Sequence, residues 1–134
     1  MLRLDGFGIF VDDFPKMITF YKDILGFEIK EDLNTNNVYL IKDQTLFLMF
    51  GRSAIQAMLD RKLNFAPRGI NGHLEIALHV DTYEEVDQEY ERIKDLVKIM
   101  TIPETMPWGQ RTFYFADPEG NIIEIGSFNK PFRT

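Results

Sequence analysis

The sequence predicts an α+β fold of two tandem βαβββ modules, whose curved mixed sheets surround a cavity with the helices outside. A strand–helix–strand pattern occurs twice, and Val11-Asp12 and Val80-Asp81 close the first strand of each copy. A chain of 134 residues has the length of one domain with two similar halves. We therefore expect module 1 at about 1–51, a linker at 52–71 and module 2 at about 72–128.

The composition is that of a folded soluble domain. Hydrophobic residues make up 45% and charged residues 27%, which excludes a disordered chain. There is no cysteine, so disulfides, thiolate nucleophiles and cysteine-ligated metals are excluded. No signal peptide is recognisable, and no apolar run approaches the roughly 20 residues of a membrane helix. These features predict a cytoplasmic protein without a membrane partner.

The net charge of −6 is unevenly distributed along the chain. Residues 1–70 contain nine basic and nine acidic side chains, so the whole acidic excess lies in residues 71–134. Six of those acids fall between Glu84 and Asp95 and are typical of a solvated helix face. No basic stripe is present to neutralise phosphates, so we expect no nucleic-acid partner.

In module 1 the first strand is predicted over residues 2–11, where Phe, Ile and Val recur. A helix should follow, because Asp13 is a suitable N-cap, Pro15 suits the first turn and Gly26 suits the C-terminal end. Three further strands are predicted at 27–33, 37–42 and 45–51.

Residues 52–71 break this pattern, and within this linker we expect one short helix at 53–60. A new strand is predicted over Leu74–Val80. Thr82 and Glu85 have the spacing of a capping box, and apolar residues recur at helical spacing from Val86 to Val97. The last three strands are predicted at about 98–105, 110–116 and 121–127.

Alternation along the strand Leu74–Val80 separates two kinds of side chain. Residues 74, 76, 78 and 80 are all apolar and should pack on the helices, so Glu75 and His79 should point into the cavity. The same argument is applied to module 1, where Phe10, Phe47 and Met49 are assigned to the cavity side. The predicted cavity thus has an apolar wall opposite an acidic one.

Three segments carry a resemblance to a known family. They are GFGIFVDD at 6–13, FYKDILGF at 20–27 and FADPEGNIIE at 115–124. In these segments, and in its strand–helix repeat, the sequence resembles the vicinal oxygen chelate superfamily, which includes glyoxalase, bleomycin-resistance proteins, fosfomycin-resistance enzymes and extradiol dioxygenases. The resemblance covers nearly the whole chain and implies a homodimer.

The resemblance also implies four metal-ligand positions, which fall on Gly6, Phe47, Glu75 and Glu124. Glycine and phenylalanine have no donor atoms, whereas a divalent cation needs several oxygen or nitrogen ligands. His79 shares a face with Glu75 and would be a third ligand only if the site had moved. We therefore expect no metal; if Ni, Zn, Mn or Fe is bound, the candidate ligands are Glu75, His79 and Glu124.

Metal-free members of the bleomycin-resistance type are acidic and carry a Pro-Trp-Gly segment before the penultimate strand, which Trp108 and its neighbours match here. Trp108 is either a structural side chain or a ligand platform. Glu124 lies between isoleucines and is either satisfied by Arg111 or a backbone amide, or functional. If Glu75 and Glu124 share one cavity, their repulsion favours a cationic guest.

Three functions remain open at this point. The first is a homodimeric binding protein that sequesters a cationic or aromatic small molecule. The second is a metal-dependent lyase or isomerase resembling glyoxalase, with Glu124 as ligand or base. The third is an interaction module without a ligand. The candidate binding residues are Phe10, Phe47, Met49, Glu75, His79, Trp108, Arg111 and Glu124.

Overall fold

Two mixed β-sheets organise the residues that the computed structural model describes, which are 1–54 and 69–132. The chain divides into two units, unit 1 over Met1–Ala66 and unit 2 over Pro67–Thr134. Each sheet contains parallel and antiparallel pairs, and few helices accompany them. The predicted α+β class is therefore confirmed.

The sheet of unit 1 has three strands in the order β1-β3-β2. Their bounds are β1 Gly6–Val11, β2 Asn37–Lys42 and β3 Thr45–Gly51. β1 is parallel to β3, and β2 is antiparallel to it. Asp43 and Gln44 join β2 to β3 with positive φ angles of 49° and 69°, as a type I′ turn requires. The predicted bounds of β2 and β3 are confirmed, whereas β1 begins at Gly6 rather than at residue 2.

The predicted first helix is confirmed, and its C-terminal part is π-helical rather than α-helical. α1 spans Phe14–Thr19, and the Asp13 carboxylate accepts a hydrogen bond from the Lys16 N–H at 3.2 Å. A π-helical turn continues it over Phe20–Ile24. Gly26 then ends the helical segment with a φ of +77°, a conformation that glycine adopts without strain.

The predicted strand at 27–33 is wrong. Phe27 and Ile29 are buried, so the apolar alternation reflects packing into the core rather than pairing in a sheet. The backbone then turns, because the Asp32 side chain accepts a hydrogen bond from the Asn34 N–H at 2.8 Å. This local bond competes with strand pairing.

The sheet of unit 2 has its main strands in the order β4-β8-β7-β5, and β6 pairs with β7. The bounds are β4 Asn71–His79, β5 Lys98–Ile99, β6 Glu104–Thr105, β7 Arg111–Ala116 and β8 Asn121–Ser127. β4 lies at one edge and is parallel to β8, and β7 is antiparallel to β8.

The predicted single strand at 98–105 is wrong, since two short strands, β5 and β6, occupy this stretch. The N–H groups of Met100 and Thr101 both donate to the Tyr114 carbonyl, at 2.9 and 3.1 Å. Met100 and Thr101 therefore lie together opposite the single residue Tyr114, as in a β-bulge. Pro103 follows and has no N–H to continue the ladder.

The helix of unit 2, α2, spans Tyr83–Ile93. The N-cap half of the predicted capping box is confirmed, because the Thr82 hydroxyl accepts from the Glu85 N–H at 3.1 Å, and the Glu85 carboxylate contacts the Thr82 hydroxyl rather than its N–H. α2 ends before Val97, so the apolar stripe is shorter than predicted. It packs on one face of the sheet, where the rings of Tyr90 and Phe113 lie 5.4 Å apart.

The predicted helix at 53–60 begins within the described chain, as residues 52–54 are helical, and its remainder lies outside the described residues. Within the part of the chain that the structure describes, no helix is long and apolar enough to cross a membrane.

Candidate functional site

One face of the sheet of unit 2, opposite the face that packs on α2, collects polar side chains. Residues paired across neighbouring strands point to the same side of a sheet. Glu124 of β8 pairs with Ala77 of β4 and with Tyr114 of β7, which fixes the members of this face. We call it the carboxyl face, formed by Glu75, Ala77, His79, Lys98, Glu104, Thr112, Tyr114, Ala116, Ile122, Glu124 and Gly126.

Glu124 lies at the centre of the carboxyl face and is only 7% exposed. Its Oε2 accepts hydrogen bonds from the Tyr114 hydroxyl at 2.8 Å and from the Thr112 hydroxyl at 2.9 Å. These two hydroxyls satisfy the carboxylate, rather than Arg111 or a backbone amide as the sequence suggested. The sequence feature that could have identified these two donors is their spacing, because Thr112 and Tyr114 are two residues apart on β7 and therefore share one face of the strand that pairs with β8.

The structure brings Glu75 and Glu124 together. Partial burial raises the pKa of Glu75, and the negative charge of Glu124 and a hydrogen bond to its carboxylate raise it further. Burial and the hydrogen bond to Glu124 also raise the pKa of Tyr114 to about 12, which keeps the phenol protonated as a donor.

His79 lies at the far end of the carboxyl face from Glu75. The two are four residues apart, which is about 13 Å along an extended strand. The His79 Nε2 lies 2.9 Å from Asp81 Oδ1, and its ring packs against Phe132 with 5.2 Å between centroids. His79 is thus placed on the predicted face but not beside the two glutamates.

Trp108 is 64% exposed at the tip of the loop between β6 and β7. The loop is closed by a hydrogen bond of 2.7 Å from the Met106 N–H to the Gln110 carbonyl, and Gly109 has a φ of +90°. The indole Nε1 donates to Gln110 Oε1 at 3.1 Å. The tryptophan side chain is therefore held at the surface, as a ligand platform requires.

Gln110 links the Trp108 loop to the carboxyl face. A Cβ atom added at Gly126 would lie 2.7 Å from Gln110 Nε2 and 3.3 Å from the Thr112 hydroxyl. The carboxamide of Gln110 therefore occupies the space beside Gly126 that a side chain would need. The sequence reasoning missed Gln110, although it precedes β7 in register with Thr112 and Tyr114.

Arg111 is directed away from the carboxyl face. Its Nε donates to Asp87 Oδ1 of α2 at 2.9 Å, and its Nη1 donates to the Thr105 hydroxyl at 3.1 Å. Odd-numbered residues of β7 face the helix, because Phe113 packs on α2. The grouping of Arg111 with Glu124 is therefore wrong.

In unit 1 the predicted apolar wall is wrong for two of its three residues. Phe47 and Met49 pair with Phe7 and Ile9 of β1, whereas Phe10 points to the other side. Phe47 packs among aromatic rings in the core, and Met49 is fully buried. The predicted alternation of β3 was shifted by one residue relative to β1, so both side chains were assigned to the wrong face.

The residues that do share a side with Phe10 are apolar except for Asn37. Phe10 itself is exposed, as are Tyr39 and Ile41 of β2, which pair with Leu48 and Leu46. We call this surface the Phe10 face, formed by Gly6, Gly8, Phe10, Asn37, Tyr39, Ile41, Leu46, Leu48 and Phe50.

The four ligand positions implied by the resemblance do not fit a divalent metal. By register, the counterpart of Glu124 in unit 1 is Leu48 rather than Phe47, and neither has a donor atom. A Cβ atom at Gly6 would lie 2.4 Å from both the Cβ and the carbonyl oxygen of Leu46. Over residues 1–54 and 69–132, no three His, Asp or Glu side chains group as metal ligands.

The comparisons with known proteins agree with this architecture. The model of the family described as Glyoxalase/Bleomycin resistance protein/Dioxygenase superfamily matches residues 3–125. The uncharacterized protein YwbC of Bacillus subtilis (strain 168) is 27% identical over 126 residues, covering 92% of this chain and 95% of YwbC.

Two solved structures illustrate the likeness in three dimensions. A protein of unknown function from Agrobacterium tumefaciens strain C58 has a TM-score of 0.75 and 28% identity, covering 95% of this chain and 94% of that chain. A glyoxalase/bleomycin resistance protein/dioxygenase from Nocardioides has a TM-score of 0.78 and 18% identity, covering 100% and 91%. At that identity the second likeness shows the fold alone.

Proposed function

This chain belongs to the glyoxalase/bleomycin resistance protein/dioxygenase superfamily, and we propose from that premise that it is a small-molecule-binding protein whose carboxyl face takes an organic cation. The observation that carries the proposal is the meeting of Glu75 and Glu124 on one sheet face. Over residues 1–54 and 69–132, neither carboxylate forms an ion pair with a Lys, Arg or His side chain.

Electrostatics explains why such a pair favours a cationic ligand. Two neighbouring carboxylates disfavour each other's ionisation, and a positive charge beside both of them offsets that repulsion. Thr112 and Tyr114 already donate to Oε2 of Glu124, so the charge of this buried group is fixed in place. A bound cation would relieve the repulsion between the two carboxylates.

Aromatic side chains near such a site would add to the binding of a cation or a flat ring. Trp108 is exposed and held by Gln110, which itself reaches the carboxyl face at Gly126. A cation over an indole ring gains about 0.5–2 kcal/mol. This supports a ligand that is both cationic and aromatic.

A homodimer that sequesters its ligand is the assembly that we propose. Phe10, Tyr39 and Ile41 are exposed together on one sheet face of unit 1, and apolar surface of this kind often marks an interface. Light scattering at two protein concentrations should give the mass of two chains; the mass of one chain would contradict the dimer. The cytoplasmic location expected from the sequence stays a prediction.

The test of the function is a titration followed by the fluorescence of Trp108, the single tryptophan. The panel should contain cationic aromatic compounds, including bleomycin, each matched to a neutral compound of the same shape. We expect saturation with the cations and at least tenfold weaker binding to Glu124→Gln, with Glu28→Gln, an exposed glutamate outside the sheet of unit 2, as the matched control. A flat response across the panel at high micromolar concentration would contradict the proposal.

The rival function is a metal-dependent lyase or isomerase in which Glu124 is ligand or base. Purification with added Ni, Zn or Mn, followed by metal analysis, separates the two. We expect less than stoichiometric metal that a chelator removes without unfolding the protein. A tightly held stoichiometric ion would favour the enzyme.

A further inference from the structure

We infer that the carboxyl-terminal segment Phe128–Phe132 completes the ligand site, and that Phe132 receives the aromatic ring of a ligand whose cationic nitrogen reaches Glu124. The inference rests on the proposed function and adds to it a residue outside the sheet and a ligand class. Four structural observations support it in turn.

The segment is tied back onto the start of α2. It turns at Asn129, which has a φ of +59°, and the Asn129 N–H donates to the Ser127 hydroxyl at 2.9 Å. The Asn129 side chain accepts from the Tyr83 N–H at 3.3 Å. Three residues later, the Phe132 N–H donates to Asp81 Oδ1 at 3.0 Å. Two anchors therefore determine where the Phe132 ring lies.

Asp81 positions Phe132 and His79 together. The same oxygen, Oδ1, lies 2.9 Å from His79 Nε2 and accepts the Phe132 N–H. The two rings pack with 5.2 Å between centroids and a tilt of 53°. Because His79 belongs to the carboxyl face, the Phe132 ring stands at the end of that face, with 48% of the residue exposed.

Gly126 separates Phe132 from the Trp108 loop. It pairs with His79 on one side and with Thr112 on the other. Adjacent strands lie about 4.8 Å apart, so β4 and β7 are roughly 10 Å apart across β8. On the β7 side the Gln110 carboxamide lies against Gly126 and binds the indole of Trp108. Two exposed aromatic side chains thus lie on either side of Gly126, and the Gln110 carboxamide covers Gly126 on the Trp108 side.

The distance from this aromatic end to Glu124 sets the ligand class. Gly126 and Glu124 are two residues apart on β8, which is about 7 Å. A ligand spanning both has a flat ring joined by a short alkyl linker to an ammonium group. The ring would contact Phe132, and the ammonium group would lie beside Glu75 and Glu124.

Three probes separate these contributions: phenylpropylammonium with ring and charge, propylammonium with charge alone, and phenylpropanol with ring alone. Affinities are to be measured by calorimetry or NMR titration on the full chain. We expect phenylpropylammonium to bind the wild-type protein roughly tenfold more tightly than propylammonium, the size of effect that one aromatic contact supplies.

The decisive variant is Phe132→Ala. It should lower the affinity for phenylpropylammonium roughly five- to tenfold and leave propylammonium unchanged. Phe132→Tyr retains the ring and should retain the preference. The matched control is Phe7→Ala, which removes an exposed phenylalanine from β1 of unit 1.

The outcomes distinguish the inference from the function it rests on. If neither ammonium probe binds the wild-type protein, the proposed function fails and the inference fails with it. If both bind but Phe132→Ala keeps the full preference for the aromatic probe, the function stands and the assignment of Phe132 is overturned. Equal losses in Phe132→Ala and Phe7→Ala would also overturn it.

Discussion

The Tyr114 hydroxyl donates to the Glu124 carboxylate at 2.8 Å, to the same oxygen that accepts from Thr112. Hydrogen bonds to a charged acceptor are stronger than neutral ones, and a buried carboxylate loses the water that would otherwise solvate it. The two hydrogen bonds therefore stabilise the fold, and they also hold the Glu124 side chain of the proposed site in position.

Replacing Tyr114 with phenylalanine should show this double role. Tyr114→Phe removes one of the two hydroxyl donors and should lower the free energy of unfolding by about 1–3 kcal/mol, measured by urea denaturation. Tyr39→Phe removes the hydroxyl of an exposed tyrosine and should change it by less than about 0.5 kcal/mol. Equal effects in the two variants would mean that the bond to Glu124 contributes no net stability.

Glu75 should make stability depend on pH. Its pKa in the folded protein is raised above the ordinary value of 4.5, so the fold binds its proton more tightly than the unfolded chain does. The resulting stabilisation is fully present below 4.5 and is lost as the pH rises through the raised pKa.

Glu75→Gln cannot ionise at this position and should escape that loss. The melting temperature of Glu75→Gln minus that of the wild-type protein should therefore increase as the pH rises from below 4.5 to neutrality. Glu28→Gln is the control, because Glu28 is exposed and lies outside the sheet of unit 2. A constant difference between Glu75→Gln and the wild-type protein across that range would contradict the raised pKa.

A methyl group at Gly126 should disturb Trp108 from a distance. Gly126→Ala places a Cβ 2.7 Å from Gln110 Nε2, so the carboxamide must move and its bond to the indole weakens. The fluorescence anisotropy of the single tryptophan should fall, and Gln110→Ala should reproduce the effect. Gly72→Ala adds a methyl group where nothing lies within 4 Å and should leave it unchanged. Unaltered anisotropy in Gly126→Ala would show that Gln110 does not hold the indole.

Arg111 should matter for stability and not for the ligand. Arg111→Met breaks the pair with Asp87 and should lower the free energy of unfolding by about 0.5–1 kcal/mol, since the pair is partly exposed. The affinity for cationic probes should stay within a factor of about two, because the guanidinium is directed to α2. A large gain in cation affinity would instead place Arg111 near Glu124.

The sequence predicted the elements whose signals are local. Asp13, Thr82 and Gly26 marked helix ends correctly, because caps and positive φ angles depend on single residues. The segment at 27–33 was wrongly predicted as a strand. Its buried residues Phe27 and Ile29 alternate with exposed ones, as they would in a strand, but the segment does not pair with a sheet.

The candidate site was predictable in part. Alternation alone placed Glu75 and His79 on one face. Assigning Phe47 and Met49 needed the pairing of β1 with β3, and the roles of Thr112, Tyr114 and Gln110 needed the pairing of β7 with β8. Both pairings join segments distant in the chain, which periodicity within one segment does not reveal.

The contact between Gly6 and Leu46 bears on how sites of this kind change during evolution. A side chain at position 6 would collide with the Leu46 backbone oxygen, so trimming the Leu46 side chain alone does not make room for it. A donor side chain at position 6 therefore requires a shift of the β1 backbone against β3 as well as the substitution itself.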